Sequence, residues 1–112
     1  MLVVVSPAKK LDMAPVAGVQ PTQPVFPERT RELVTEAAKL TSGELAKLMK
    51  ISPNLAKLNQ QRFSDFGSQN RKPAAFAFAG DTFQGLEAAT LHADALRWAQ
   101  EHLRILSGLY GI

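Results

Sequence analysis

The spacing of hydrophobic and polar positions changes character several times along this chain. Leu2-Val3-Val4-Val5 is an unbroken apolar run, the pattern of a short strand buried on both faces. Ser6-Pro7 stops it, because proline donates nothing to a sheet ladder and holds the residue before it extended. Between 13 and 27 the periodicity disappears. Pro15, Gly18, Pro21, Pro24 and Pro27 punctuate a stretch with almost no charge, which predicts an extended loop.

A helical layer is predicted over 28–66. Glu28 to Leu40 places Leu33, Val34, Ala37 and Ala38 on one face, with acids early and Lys39 late. Thr41-Ser42-Gly43-Glu44 has capping-box spacing and opens a second helix with Leu45, Leu48 and Met49 inward. Ser52-Pro53 is a cap-then-proline start for a third, carrying Leu55, Leu58 and Phe63. A polar turn region runs from Phe66 to Pro73. Ala74-Ala75-Phe76-Ala77-Phe78-Ala79 then alternates small and aromatic residues, the period of a strand. Leu96, Ala99, Leu103 and Leu106 follow helical spacing, so strand and long helix together occupy 74–107, with Gly108 placed as the C-cap. The chain runs out at Gly108-Leu109-Tyr110-Gly111-Ile112, a hairpin turn over 107–112 that looks cut short. The expected class is α+β (mixed α/β): short strands with a helical layer, the N-terminal portion of a larger single-domain fold.

Composition narrows the function classes. At 112 residues there is room for one small domain, and the 46% apolar and 21% charged content is that of a globular chain. No apolar run reaches the roughly 18 to 20 residues of a membrane span, and no basic segment precedes the first apolar run as a secretory signal requires. With no cysteine there is no disulfide framework, thiol nucleophile or cysteine-ligated metal. The formal net charge of +3 is unevenly placed. Residues 28–72 hold nine bases against five acids, whereas 73–112 hold two bases against four acids. A basic middle can meet phosphate, or be an ordinary solvated helical surface.

Several segments carry candidate chemistry. Ser6-Pro7-Ala8-Lys9-Lys10 follows the first strand, where α/β layers place ligands, and a lysine there can hold an anion. It equally reads as a surface turn, and it lacks the glycines of a phosphate loop. Asp81, after Gly80, reads as a helix N-cap or as an acid, base or ligand sharing a cleft with Lys9 or Arg104. His92 and His102 stand too far apart on a helix to share a metal, and no metal or Ser-His-Asp spacing is present. Hence no metal, cofactor or enzyme class is read from the residues. Leu106-Ser107-Gly108-Leu109-Tyr110-Gly111 suits the turn of a helix-hairpin-helix, in which glycine lets backbone N–H groups approach nucleic-acid phosphate. A plain glycine-rich helix end is the other reading.

A family resemblance joins these segments. Ser6-Pro7-Ala8-Lys9 followed by Leu11-Asp12 resembles the opening signature of the peroxide stress protein YaaA family. The likeness continues in order through Lys39-Leu40-Thr41, Leu48-Met49-Lys50-Ile51-Ser52, Leu55-Ala56, Asn59, Arg62-Phe63, Phe78, Gly80-Asp81 and Gly85-Leu86. It closes on His102-Leu103-Arg104-Ile105-Leu106-Ser107-Gly108-Leu109-Tyr110-Gly111, its most diagnostic block. It implies a cytoplasmic bacterial protein that limits free intracellular iron under hydrogen peroxide and binds double-stranded DNA without sequence preference. The expected DNA contacts are Lys9, Lys10, Arg104, Ser107, Gly108, Tyr110 and Gly111, with Ser6, Lys9, Asp81 and Arg104 in a charged cleft. The alternative is an enzyme or small-ligand binder using that cleft on a phosphorylated or nucleotide-like molecule. Family members are about twice this length or more, so the chain is expected to end in half of a helix-hairpin-helix and to need the C-terminal part of its own fold. Lys10 stands where threonine is usual, and Ala79 where a polar or basic residue is common.

Overall fold

The computed structural model describes residues 1–112. In chain order the elements are β1 (Val3–Val5), α1 (Pro27–Ala37), α2 (Ser42–Met49), α3 (Pro53–Ser64), α4 (Ala74–Ala77), α5 (Asp81–Leu86), a 3-10 turn (Ala88–Thr90), α6 (Ala93–His102) and β2 (Leu103–Ile105). This is an α+β chain. It divides into two compact units, one built from Met1–Phe26 with Asn70–Ile112, the other from Pro27–Gln69.

The Pro27–Gln69 unit is the three-helix layer expected from the sequence, and local signals place its ends. Thr41 accepts from the Glu44 N–H while the Glu44 carboxylate accepts from the Thr41 N–H, closing the capping box at α2. At the other end Lys50 turns left-handed (φ 54°), and the Ile51 N–H returns to the Ala46 carbonyl. Ser52 caps α3 through the Leu55 N–H, with Pro53 in the first turn. Leu45, 1% exposed, and Ala56 anchor the packing of α2 on α3. Asn59 is buried among them, and its amide donates to the Leu55 carbonyl at 2.9 Å, which offsets its desolvation. Several apolar expectations fail. Leu48 is 70% exposed, Leu33 and Leu58 lie open, and the buried face of α1 is Thr30 and Val34.

The other unit departs further from the expectations. Residues 12–26 form the loop without regular structure that the prolines predict. The predicted strand over 74–79 is instead a single helical turn, α4, after which Phe78 is extended and bridges Leu11 in antiparallel sense. Alanine is the strongest helix former, and Pro73 sits at the N-cap, so four residues wind up before the chain extends. The long helix also ends early. α6 stops at His102, and Leu103-Arg104-Ile105 pairs with β1 as a parallel strand, Val3 opposite Leu103, Val4 opposite Arg104 and Val5 opposite Ile105. Leu103 and Leu106 fit a helical stripe, but a ladder partner a hundred positions away in sequence overrides it. Gly108 is therefore not a helix C-cap, and a strand rather than a helix leads into the terminal hairpin. The expected ending in half of a helix-hairpin-helix is therefore not formed, because the element before the turn is a strand and not the motif's first helix.

Candidate functional site at the carboxyl end of the sheet

Because β1 and β2 run parallel and in register, the segments that follow them leave the sheet at the same end. Ser6 to Lys10 follow β1, and Leu106 to Gly111 follow β2. Gly80-Asp81 joins the first of these. The Ala79 N–H donates to the Lys10 carbonyl at 3.0 Å and the Asp12 N–H to the Ala77 carbonyl at 2.7 Å. A Cβ on Gly80 would lie 3.2 Å from that of Ala8, so glycine allows this close approach. The structure thus gathers the loops that carry most of the expected site residues, through backbone pairings across widely separated positions.

Their side chains are arranged less simply. Ser6, Lys9, Lys10 and Asp81 are exposed. Gly80, not Asp81, takes the N-cap position of α5, and Asp81 is its first helical residue, where a carboxylate faces favourable backbone dipoles. Arg104 is turned toward the end of α6, with Nη1 donating to the Gln100 and Leu103 carbonyls at 2.6 and 2.9 Å. His102 Nδ1 lies 2.7 Å from the Trp98 carbonyl. Of these, the Gln100 carbonyl lies in the last turn of α6, where a helix leaves carbonyls without backbone partners. No ion pair joins Lys9, Asp81 and Arg104. A groove of about 220 Å³ nearby is lined by Val3, Val5, Thr82, Phe83, Leu86 and Leu103, an apolar set without any of the three charged residues.

The terminal hairpin is tightly built. Ser107 and Gly111 exchange backbone hydrogen bonds of 2.7 and 2.9 Å, and Ser107 Oγ accepts from the Leu109 and Tyr110 N–H groups. Gly111 is required twice over. Its φ of +82° is left-handed, and a Cβ would lie 2.7 Å from the Phe26 ring. Gly108 has open space where a Cβ would stand, so its backbone is accessible from that side. Burial pushes the Tyr110 hydroxyl above the ordinary tyrosine value, and the positive charge of Arg71 opposes that rise.

Two residues outside the expected set help hold this end together. The Lys72 side chain is only 6% exposed, and its ammonium donates to the Asp12 carbonyl at 2.7 Å. Arg71 supplies the charge beside Tyr110. In the sequence both belong to an unremarkable polar turn. Only their partners at distant positions distinguish them, and local spacing carries no sign of those.

Comparison with known proteins places this arrangement in context. The family model described as peroxide stress protein YaaA matches residues 1–112. A UPF0246 protein of Ruegeria pomeroyi is 53% identical over 116 residues, covering 100% of this chain and 45% of the relative. One of Roseobacter denitrificans is 53% identical over 116 residues, with 100% and 44% covered. A third, from Shewanella sediminis, is 46% identical over 117 residues, with 100% and 46% covered. The chain spans less than half the length of these curated relatives.

Proposed function

The chain belongs to the peroxide stress protein YaaA family, and from that premise we propose that it forms the duplex-DNA-contacting part of a cytoplasmic protein that lowers free iron under peroxide. One observation carries the DNA reading. The lysine-bearing loop after β1 and the glycine hairpin after β2 leave the same end of a parallel pair. Lys9 and Lys10, both exposed, supply mobile positive charge for phosphate. The uncovered backbone at Gly108 allows the close approach to a sugar-phosphate chain that a larger residue would obstruct. Ser107 and Gly111 hold the turn in shape. Arg104 is anchored through Nη1 to carbonyls at the end of α6, and contributes as a fixed charge. Such contacts read no base edge, so binding is indifferent to sequence and sensitive to salt. Iron limitation enters through the family alone, and no residue of this chain is assigned to it.

The test is fluorescence anisotropy with a labelled duplex at roughly 50 and 200 mM salt. It uses this chain and a family-length chimera in which the chain replaces the matched part of the Ruegeria pomeroyi relative. The chimera is expected to bind with a steep salt dependence. Gly108→Val should weaken binding without unfolding the chain, since its Cβ meets nothing, while Asp81→Asn should not weaken it. A well-folded chimera that fails to bind at the lower salt, or a Gly108→Val variant that binds as well as the parent, overturns the reading.

A further inference from the structure

The terminal hairpin offers a backbone donor but no cation of its own. Residues 106–112 contain neither lysine nor arginine. Ser107 Oγ accepts from the Leu109 and Tyr110 N–H groups, and the Ser107 carbonyl accepts from that of Gly111. Within the turn, only the N–H of the exposed Gly108 is left without a partner. A free N–H beside open space suits an anion, but one neutral donor holds phosphate weakly unless positive charge stands near it. The unit that contains the hairpin, Met1–Phe26 with Asn70–Ile112, has six bases to draw on. Three are engaged. Lys72 is buried on the Asp12 carbonyl, Arg97 is paired with Asp94, and Arg104 donates to the Gln100 and Leu103 carbonyls. Lys9, Lys10 and Arg71 are exposed, and none of them enters an ion pair.

The fold brings Arg71 beside both halves of the site. Residues 72–79 run back along residues 10–12: Lys72 reaches the Asp12 carbonyl at 2.7 Å, Leu11 bridges Phe78 in antiparallel sense, and the Ala79 N–H donates to the Lys10 carbonyl. The buried Lys72 fixes the backbone at this point and leaves its neighbour Arg71 at the surface. On the hairpin side, the charge of Arg71 is felt at Tyr110, whose hydroxyl it holds lower than burial alone would. We propose that Arg71 is a phosphate-contacting residue of the duplex site, supplying with the Gly108 N–H the hairpin's hold on the sugar-phosphate chain, while Lys9 and Lys10 serve the loop after β1. The guanidinium suits this task, because its planar fork can donate to two oxygens of one phosphate. The inference rests on the duplex reading above and deepens it by a residue that no sequence motif marks.

The salt dependence of duplex binding by the family-length chimera tests it, because each phosphate contact adds about 0.9 to the slope of log affinity against log salt. Arg71→Gln should lower that slope by about 0.9, weakening binding roughly 10-fold near 50 mM salt and roughly 3-fold near 200 mM. Arg71→Lys keeps the charge and should keep the slope. Arg97→Gln, at a residue already paired with Asp94, should change neither slope nor affinity. Placement is checked without DNA. Tyr110 is the only tyrosine, so tyrosinate absorbance of the 112-residue chain reads it alone, and Arg71→Gln should move its titration to higher pH. A chimera that binds with a slope that Arg71→Gln does not change overturns this inference and leaves the duplex reading standing. A well-folded chimera that binds nothing at the lower salt overturns both. An Arg97→Gln variant that loses as much slope as Arg71→Gln also overturns the inference, because any cation would then serve. So does an Arg71→Lys variant that behaves like Arg71→Gln, or a Tyr110 titration that Arg71→Gln leaves in place.

Discussion

The Pro27–Gln69 unit and the unit that flanks it in sequence are built on opposite principles. In the first, both ends of α2 and the start of α3 are marked by residues within a few positions of them: Thr41 with Glu44, Lys50 with Ala46, Ser52 with Pro53. In the second, the decisive pairings join residues far apart: Val3 with Leu103, Leu11 with Phe78, Lys72 with Asp12. The helical unit is written locally and folds around its own punctuation. The mixed unit is written in pairs, and neither member of a pair announces the other. The candidate site belongs entirely to the second kind.

The sharpest way to probe that contrast is to remove the centre of the local unit. Leu45→Ala deletes a fully buried side chain and should cost about 2–4 kcal/mol of stability, read by urea unfolding. The accompanying loss of amide protection should be greatest in α1, α2 and α3. Equal loss in β1 and β2 would erase the distinction. Next comes Gly111→Val, which meets both a left-handed backbone and the Phe26 ring. It should cost about 2–3 kcal/mol and expose the Ser107 and Gly111 amides to exchange. Gly108→Val, three residues earlier, should stay within about 0.5 kcal/mol. If the two valines behave alike, the hairpin is not held as described.

A cap is worth less than a core residue. Thr41→Ala removes one arm of the capping box and should cost about 1 kcal/mol, visible as a shift in the urea midpoint. The smallest expected effect concerns pH. Folding raises the Tyr110 hydroxyl above its ordinary value of 10.0, so above that pH the unfolded chain gives up this proton first. Its contribution to stability is therefore full below about pH 10 and declines as the pH climbs toward the folded value. Tyr110→Phe should flatten that decline in unfolding curves measured from pH 9 upward. An unchanged slope would place the titration elsewhere.

What could be read from the sequence follows the same division. The proline-rich loop, the three helices and both side-chain caps of the helical unit were legible, because capping and breaking are short-range chemistry. The exposure of Leu33, Leu48 and Leu58 was not, since periodicity shows which residues are apolar but not which face finds a neighbour. The alanine-phenylalanine alternation at 74–79 pointed to a strand, but the edge it would have needed is limited to one bridge with Leu11. The leucine stripe through Leu106 pointed to a helix that stops at His102 for want of nothing local. At the site, residues 6–10 and 106–111 stand out in the sequence, the first as a turn after a strand and the second as a turn after a helix, where the structure has a strand instead. Their convergence rests on the parallel pairing of β1 with β2, and the anchoring of Arg104 on α6 follows from the early end of that helix.

The pairing of Val3 with Leu103 also sets an order of events in the cell. At a synthesis rate of about 5–20 residues per second, β1 leaves the ribosome several seconds before its partner strand exists. The helical unit can close in that interval, because its contacts are local and fast to form. Val3-Val4-Val5 meanwhile waits as an unpaired, strongly β-forming segment, the kind that recruits strands from other chains. Ser6-Pro7 directly behind it then acts as a gatekeeper, since the proline interrupts any sheet that tries to grow past the valines.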